Sequence, residues 1–251
     1  MTRTRVLLLA ALTLAATIAA VPAAAPAARA AAPSSRLCAD LAGGRFTMEL
    51  LGDSVAAGYP GAPNPWDRWW SVFASALPPG SAVWNGAIPG SVLADYLPAH
   101  DGQPEGRYGF HTRFAAAVAP TVLAVNFRLN DQWSQVSIAQ WKANWRLLID
   151  YVRADSPDTT MVFLVSPLAL APQNERAGPL KAADYIRALT ELAVEVPGSL
   201  IVRWDQFMPT PPTDWYGLLT YDLVHPSPAG QRLLAAQTYQ ALTSYCEGAS
   251  S

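Results

Sequence analysis

Apolar and polar positions alternate along this chain with two different periods, and they predict strands that take turns with helices. Five short stretches are continuously apolar or β-branched, as is typical of buried strands: residues 46–51, 82–85, 121–126, 160–165 and 200–203. Helical spacing or helical character marks six stretches between and after them: residues 66–77, 91–97, 110–118, 138–154, 180–196 and 228–245. This alternation predicts an α/β protein, a three-layer α/β/α sandwich with about five parallel strands.

The first thirty residues are predicted to be a secretory signal peptide that is removed from the mature protein. Arg3 and Arg5 precede an apolar run, and small residues follow, with cleavage expected after Ala30. Cleavage after Ala25 and an uncleaved membrane anchor are the alternatives, although the apolar run is shorter than the ~20 residues of a membrane span. We therefore expect a secreted, extracellular protein without stable membrane insertion.

Length and charge narrow the class of protein further. Residues 31–251 are enough for one sizeable core and contain no internal repeat or linker, so we expect a single domain and a monomer. Removing residues 1–30 removes three arginines and no acidic residue, which moves the formal net charge from −2 to −5. An acidic chain argues against a nucleic-acid partner. Residues 31–44 are expected to be a leader up to the first strand.

The two cysteines bracket the expected mature chain. Cys38 lies near its start and Cys246 near its end. In an exported protein such a pair predicts a disulfide, and the termini of compact domains often lie close together. Two free thiols are the alternative.

A serine directly after the first predicted strand raises the question of nucleophilic chemistry. Ser54 follows an apolar run and a glycine, at the edge where open α/β sheets bind their ligands. A serine hydroxyl needs a base within reach and an acid that orients the base. Of His100, His111 and His225, only His225 has an acid three residues earlier, Asp222. The G-x-S-x-G motif of the α/β-hydrolases is absent from the sequence.

Four short motifs in order resemble the SGNH (GDSL-type) hydrolase family. They are Gly-Asp-Ser at residues 52–54, a glycine (Gly90) shortly after an asparagine beyond the second strand, Asn130 followed by an aspartate after the third strand, and Asp-x-x-His at residues 222–225. They span nearly all of the expected mature chain. One position departs from the family pattern, because Arg128 stands where glycine is usual.

The resemblance implies a flavodoxin-like SGNH hydrolase fold and a secreted esterase or lipase that works through an acyl-serine intermediate. Ser54 would be the nucleophile, His225 the general base and then the acid, and Asp222 the residue that orients His225. The backbone N–H groups of Ser54 and Gly90, with the side chain of Asn130, would form the oxyanion hole. No metal and no organic cofactor is expected. The substrate would be a small-molecule, lipid or glycan ester.

The charged residues around these motifs have other expected roles. Asp53 and Asp131 are interpreted as structural residues that tie turns through backbone hydrogen bonds. Arg128 has two interpretations: a salt bridge to Asp131 or Asp95, which we favour, or a substrate-binding role toward a carboxylate, phosphate or sulfate.

Aromatic residues near the motifs are candidates for the walls of a cleft. Trp133 follows the Asn-Asp pair, and Trp215 with Tyr216 precedes Asp222, so we expect these residues to bind substrate. The other seven tryptophans are expected in the core or under helices: Trp66, Trp69, Trp70, Trp84, Trp141, Trp145 and Trp204. Two long loops, residues 98–109 and 208–220, are expected to carry specificity.

Three other functions are compatible with parts of this pattern. An acyltransferase would use the same residues and pass the acyl group to an alcohol. A carbohydrate or cell-wall O-deacetylase is favoured if Trp133 and Trp215 bind sugar. A non-catalytic binding module on the same fold is disfavoured, because a binder has no reason to keep the nucleophile, base, acid and oxyanion donors together.

Overall fold

The computed structural model describes residues 35–97, 119–167, 180–206 and 217–248, and these all belong to one compact unit. Within these ranges the strands are β1 (Thr47–Gly52), β2 (Ala82–Asn85), β3 (Val122–Asn126), β4 (Thr160–Leu164) and β5 (Leu200–Val202). The α-helices in the same ranges are α1 (Ser35–Ala42), α2 (Ser54–Ala57), α3 (Trp69–Ala76), α4 (Leu129–Trp133), α5 (Ile138–Asp155), α6 (Ala182–Glu195) and α7 (Pro228–Glu247). The predicted signal peptide, the predicted helix over residues 110–118, His100, His111 and most of the two long loops lie outside the described residues.

The five strands form one parallel sheet in the order β2-β1-β3-β4-β5. The chain runs from β1 to one neighbour, β2, and then crosses to the other neighbour, β3. This reversal creates a topological switch point between β1 and β3, where sheets of this kind bind ligands. Gly52 and Asn126 lie side by side there, at the carboxyl ends of the two strands. The residues that follow β1 and β3 are therefore brought together.

Both faces of the sheet are buried, and alternate strand residues supply the two cores. Met48 and Leu50 of β1 face a core that includes residues of α1, α3 and α7, whereas Leu51 faces a core that includes residues of α5 and α6. In β3, Ala124 belongs to the first core and Val125 to the second. Burial on two sides explains why the strand sequences are continuously apolar. The predicted α/β/α sandwich with five parallel strands is confirmed.

Residues 35–42 form a helix instead of the expected leader. Leu37 and Leu41 of α1 are buried in the first core, and a disulfide joins Cys38 to Cys246 of α7. The Cα atoms of the two cysteines are 5.4 Å apart, so the predicted pairing is present. In the described ranges, no helix is long and apolar enough to cross a membrane.

The tryptophans expected in the core differ in exposure, and Trp70 is partly buried and packs against the first core, as expected. Four are fully buried, as expected: Trp69, Trp141, Trp145 and Trp204. The expectation was wrong for Trp66, which is 78% exposed, and for Trp84, which is 49% exposed. Trp66 lies in the short 3₁₀ turn Pro65–Asp67, and Trp84 lies on the edge strand β2, where only one neighbouring strand flanks it.

Candidate active site

Ser54 is the first residue of helix α2, directly beyond the carboxyl end of β1. The chain turns sharply here because Gly52 comes very close to β3: a Cβ atom on Gly52 would lie 2.5 Å from the carbonyl oxygen of Asn126. Asp53 then caps the helix, since its Oδ1 accepts a 2.9 Å hydrogen bond from the N–H of Val55. Strand, glycine and cap together fix the position of the serine at the switch point.

The structure brings Ser54, His225 and Asp222 into one hydrogen-bonded chain. His225 Nε2 lies 2.8 Å from Ser54 Oγ, and His225 Nδ1 lies 2.7 Å from Asp222 Oδ2, although the serine and the histidine are 171 residues apart in sequence. A proton on Nδ1 can be donated to the carboxylate, which leaves Nε2 free to accept the serine proton. All three residues are partly accessible to solvent.

A tight turn holds Asp222 in place. Its Oδ1 accepts hydrogen bonds from the Thr220 hydroxyl at 2.6 Å and from the N–H groups of Val224 and His225 at 2.9 and 3.0 Å. Burial alone would raise the pKa of Asp222, but these hydrogen bonds and the one with the His225 ring lower it well below its usual value. Leu223 adopts a positive φ of 56°, a conformation that costs a leucine energy and that sequence reasoning missed. Asp222 is thus an ionised acceptor in a preorganised turn.

The loop that carries Gly90, one of the predicted oxyanion donors, is anchored on the carbonyl oxygen of Gly52. This oxygen accepts hydrogen bonds from the hydroxyl of Ser91 at 3.0 Å and from the N–H of Ile88 at 2.9 Å, which ties the Gly90 loop to the end of β1. The Asn130 side chain donates to the Ser91 carbonyl at 2.9 Å and so fastens the same loop to helix α4. Its NH₂ group has a second hydrogen to offer.

Gly90 itself is exposed and adopts a positive φ of 86°. Nothing lies within 4 Å of the place where a Cβ atom would be, so the glycine is required by its backbone conformation and not by crowding. Among the described residues, no acceptor occupies the N–H of Ser54 or that of Gly90. Both are therefore available to a developing negative charge.

Asn126, at the end of β3, is a structural residue. It is fully buried, and its side-chain NH₂ donates to the Leu164 carbonyl at 2.7 Å and to the Ser166 hydroxyl at 2.9 Å. These bonds continue the β3–β4 connection beyond the last paired strand residues. Asparagine in a buried strand was the available signal, because a buried amide needs partners.

Two buried carboxyl groups lie beneath the site. Asp53 caps helix α2, and Asp131 Oδ1 accepts a 3.3 Å hydrogen bond from the N–H of Leu93, so both hold backbone as expected. Burial raises the pKa of Asp53 to about 6, opposed by the hydrogen bond from Val55 and the charges of Arg128 and His225. Burial also raises the pKa of Asp131 to about 8. Within the described ranges, Oδ2 of both groups has no hydrogen-bond partner.

Arg128 is only 3% exposed, and its guanidinium points into the protein. Nη1 donates to Gln132 Oε1 at 2.7 Å and Nη2 donates to the Pro167 carbonyl at 2.9 Å. In the described part of the chain, no ion pair within 4.0 Å joins it to Asp131 or Asp95, so the predicted salt bridge is replaced by these two bonds. A buried guanidinium is poorly placed for the tentative substrate-binding role.

The two tentative cleft aromatics differ in what the structure says of them. Trp133 is partly buried and packs against the first core cluster, with its indole N–H buried and without a partner. Trp215 lies outside the described residues, as does Tyr216.

The site and the fold agree with what comparison with known proteins finds. The profile of the GDSL-like lipase/acylhydrolase family matches residues 50–233, which is more than half of the chain and includes every motif named above. No curated protein matches the chain significantly. The chain belongs to the GDSL-like lipase/acylhydrolase family.

Solved structures share the fold at low sequence identity. The aryl esterase of M. smegmatis matches with a TM-score of 0.62 at 16% identity, over 80% of this chain and 99% of that chain. A carbohydrate acetylesterase family member from Sinorhizobium meliloti matches with a TM-score of 0.60 at 18% identity, over 80% and 99% of the two chains. A psychrotrophic esterase from Pseudoalteromonas sp., inhibited by monoethylphosphonate, matches with a TM-score of 0.56 at 16% identity, over 80% and 98%.

Proposed function

We propose that this protein is a secreted serine esterase that hydrolyses carboxylic esters through an acyl-serine intermediate. The observation that carries the proposal is the continuous chain from Ser54 Oγ through His225 to Asp222, with links of 2.8 and 2.7 Å. These distances are those needed for a base to take the proton of a serine while an acid holds the base in the right tautomer.

In the first half of the reaction Ser54 Oγ attacks the ester carbonyl carbon and its proton passes to His225 Nε2. The resulting imidazolium is stabilised by Asp222, which accepts from Nδ1. The negative oxygen of the tetrahedral intermediate is met by the N–H groups of Ser54 and Gly90 and by the Asn130 amide. When the C–O bond breaks, the imidazolium returns its proton to the leaving alcohol, and the acyl group remains on Ser54.

In the second half water replaces the alcohol. His225 takes a proton from water as its oxygen attacks the acyl carbonyl, and the same donors meet the second oxyanion. Collapse of this intermediate releases the carboxylic acid, and Ser54 Oγ takes the proton back from the imidazolium. Each donor that is lost from such a hole typically costs about 10²–10³ in turnover.

Export and substrate class rest on separate support. The signal-peptide pattern of residues 1–30 and the Cys38–Cys246 disulfide favour secretion, since disulfides persist in oxidising compartments. The similar structures are called aryl esterase, carbohydrate acetylesterase family member and esterase, which favours carboxylic esters as the substrate class.

Hydrolysis of a p-nitrophenyl ester series from acetate to palmitate tests the proposal. We expect activity in the wild type and a loss of at least about 10³-fold in Ser54→Ala. Ser75→Ala is the matched control, because Ser75 is an exposed serine whose hydroxyl donates to the Val72 carbonyl of its own helix. The proposal is wrong if Ser54→Ala hydrolyses these esters as fast as the wild type.

The same series distinguishes the alternative functions. A preference for acetate favours a deacetylase, whereas activity that rises with chain length favours a lipase. An acyltransferase would release p-nitrophenol slowly in water and faster when an alcohol acceptor is added, with the new ester as product.

A further inference from the structure

The guanidinium of Arg128 is buried and has no part in the reaction as written. Arg128 follows β3 by two residues. Its Nη2 reaches the Pro167 carbonyl, beyond the end of β4, and its Nη1 reaches Gln132 of helix α4. The third nitrogen, Nε, has no hydrogen-bond partner among the residues that the structure describes. A buried cation of this kind is costly unless opposite charge lies near.

The nearby opposite charge comes from Asp53. Gly52 pairs with Asn126 across β1 and β3, and the N–H of Asp53 donates to the Asn126 carbonyl at 3.3 Å, so Asp53 and Arg128 follow adjacent strand ends. Asp53 is fully buried and has a free Oδ2, but no ion pair within 4.0 Å joins it to Arg128 in the described ranges. The attraction therefore acts through space inside the protein, where charges are weakly screened. Asp205, beyond β5, is the second carboxylate that acts on Arg128.

We propose that Arg128 is a positioning residue: it acts through Asp53, supplying the counter-charge that keeps Asp53 an ionised cap of the helix that begins with Ser54. The proposal rests on the esterase function and deepens it. Arg128 touches neither Ser54 nor the substrate in this account. It sets how firmly the serine is held, because a carboxylate caps a helix N-terminus better than a neutral acid does.

The charges that face Asp53 give the direction of the effect. Burial raises the pKa of Asp53 to about 6, while Arg128 and His225 lower it. Asp131 is not a counter-charge to Asp53, because burial and, to a smaller extent, the charge of Asp53 raise the pKa of Asp131 to about 8. Removal of the Arg128 charge therefore raises the pKa of Asp53 further, so that the cap is neutralised nearer to neutral pH.

The test is a double-mutant cycle in kcat/KM as a function of pH, with Arg128→Met, Asp53→Asn and the double variant. Asparagine can still cap the helix and needs no counter-charge. We expect Arg128→Met to lose at least about tenfold at pH 7 and to move the acid limb of the profile to higher pH. In the Asp53→Asn background the same change should cost less than about threefold and leave the acid limb in place. Arg128→Lys, which keeps the charge, should restore the acid limb.

A structural role alone gives different results. Arg153→Met is the matched control, since Arg153 donates to three backbone carbonyls (Pro157, Thr159 and Pro197) at the amino ends of β4 and β5. It should lower the melting temperature without moving the acid limb. If the shift caused by Arg128→Met persists in the Asp53→Asn background, Arg128 acts on another group and the proposal is wrong.

Folding yield and thermal unfolding measure the coupling between Arg128 and Asp53 without an ester substrate. If Arg128→Met is insoluble, added Asp53→Asn should restore soluble protein, and continued insolubility of the double variant overturns the proposal. If the wild type hydrolyses no ester, the esterase function fails. Melting temperatures of the four proteins between about pH 5 and about pH 8 then show whether the pH dependence of Arg128→Met disappears with Asp53.

Discussion

Asp222 both orients His225 and shapes the turn that carries it. Oδ2 faces His225 Nδ1, while Oδ1 accepts from Thr220, Val224 and His225. In Asp222→Asn the side-chain oxygen can keep these turn bonds, but an NH₂ group then faces Nδ1 and favours the wrong tautomer. We expect kcat on a short-chain ester to fall about 10³–10⁴-fold with a small change in KM.

Thr220→Val is the control for this prediction. It removes one of the bonds to Oδ1 at nearly constant shape and leaves Asp222 facing the ring. We expect a loss of less than about tenfold in kcat, the range of a single hydrogen bond. Equal losses in the two variants would show that Asp222 matters for the turn and not for the state of His225.

The raised pKa of Asp131 makes the stability of the folded protein depend on pH. The ordinary pKa of its carboxyl is 3.8, and burial raises it to about 8 in the folded protein. The folded state thus binds this proton more tightly than the unfolded state, and the free energy of unfolding falls as pH rises from about 4 to about 8. We expect the wild type to melt several degrees higher at about pH 5 than at about pH 9.

Asp131→Asn should shrink that difference in melting temperature, since asparagine does not titrate. The exposed Asp150 of α5 provides the control, because Asp150→Asn should leave the difference unchanged. A wild-type difference that survives in Asp131→Asn would assign the pH dependence to other groups.

The candidate reacting residues could be predicted from the sequence, but several of the contacts that support them could not. Ser54, Asp222 and His225 stand in a motif order that geometry brings together. The sequence did not determine the direction of the Arg128 side chain, because a guanidinium can reach either substrate or protein from the same backbone position. Contacts with residues distant in sequence determine that direction. The positive φ of Leu223 could not be predicted, since leucine rarely adopts that conformation.

The junction of β1 and α2 is the most demanding local structure in the site. A Cβ atom on Gly52 would lie 2.5 Å from both Asn126 O and Ala56 Cβ, distances at which something must move. Gly52→Ala should therefore push α2 and Ser54 out of place. We expect a loss of at least about 10²-fold in kcat/KM, the scale of a misplacement by about 1 Å, together with a lower melting temperature.

Gly198→Ala separates crowding from backbone strain. Gly198 has a positive φ of 70° in the turn before β5, and a Cβ atom there would meet nothing within 4 Å. We expect Gly198→Ala to lower the free energy of unfolding by about 1 kcal/mol. Its activity at 25 °C should equal that of the wild type. An active, stable Gly52→Ala would contradict the close approach seen at the strand end.

Strands were easier to predict than short helices. The stretch at residues 46–51 differs from β1 by one residue at each end, because burial on both faces makes the strand sequences continuously apolar. Helix α2 has four residues and helix α4 has five, too few to show a helical period. Helix α1 was missed because its stability comes from the disulfide and from Leu37 and Leu41 in the core, which are tertiary contacts.

The Cys38–Cys246 disulfide joins the two ends of the described chain, 208 residues apart in sequence. Bridges that close long loops typically contribute about 2–5 kcal/mol, which for a domain of this size corresponds to about 5–20 °C in melting temperature. Cys246 lies near the far end of α7, about 27 Å along the helix from Pro228, which follows the catalytic turn. Bridge and site are therefore well separated.

We expect the melting temperature of Cys38→Ser/Cys246→Ser to be about 5–20 °C below that of the wild type. Its kcat/KM at 25 °C should be unchanged. Differential scanning calorimetry and ester hydrolysis on the same preparation check both parts. Intact mass before and after reduction and alkylation verifies the bridge in the wild type. Unchanged melting in the double variant would contradict the stabilising role of the disulfide.

The topology of the whole sheet explains why residues so far apart in sequence form one site. Strand ends β1 and β3 flank the switch point and contribute Ser54 and Asn130, while the turn before α7 brings His225 to the same edge. The sequence predicted the strands and their parallel direction, but not their order β2-β1-β3-β4-β5. The loops expected to determine specificity lie largely outside the described residues.

Covalent labelling of Ser54 tests the central claim most directly. An alkyl fluorophosphonate should add once to the wild type, with the adduct on the peptide that contains Ser54, and should add far more slowly to His225→Ala because the serine loses its base. Ser54→Ala should not be labelled. Equal labelling of Ser54→Ala and the wild type would contradict the account, since the reactive nucleophile would then lie elsewhere.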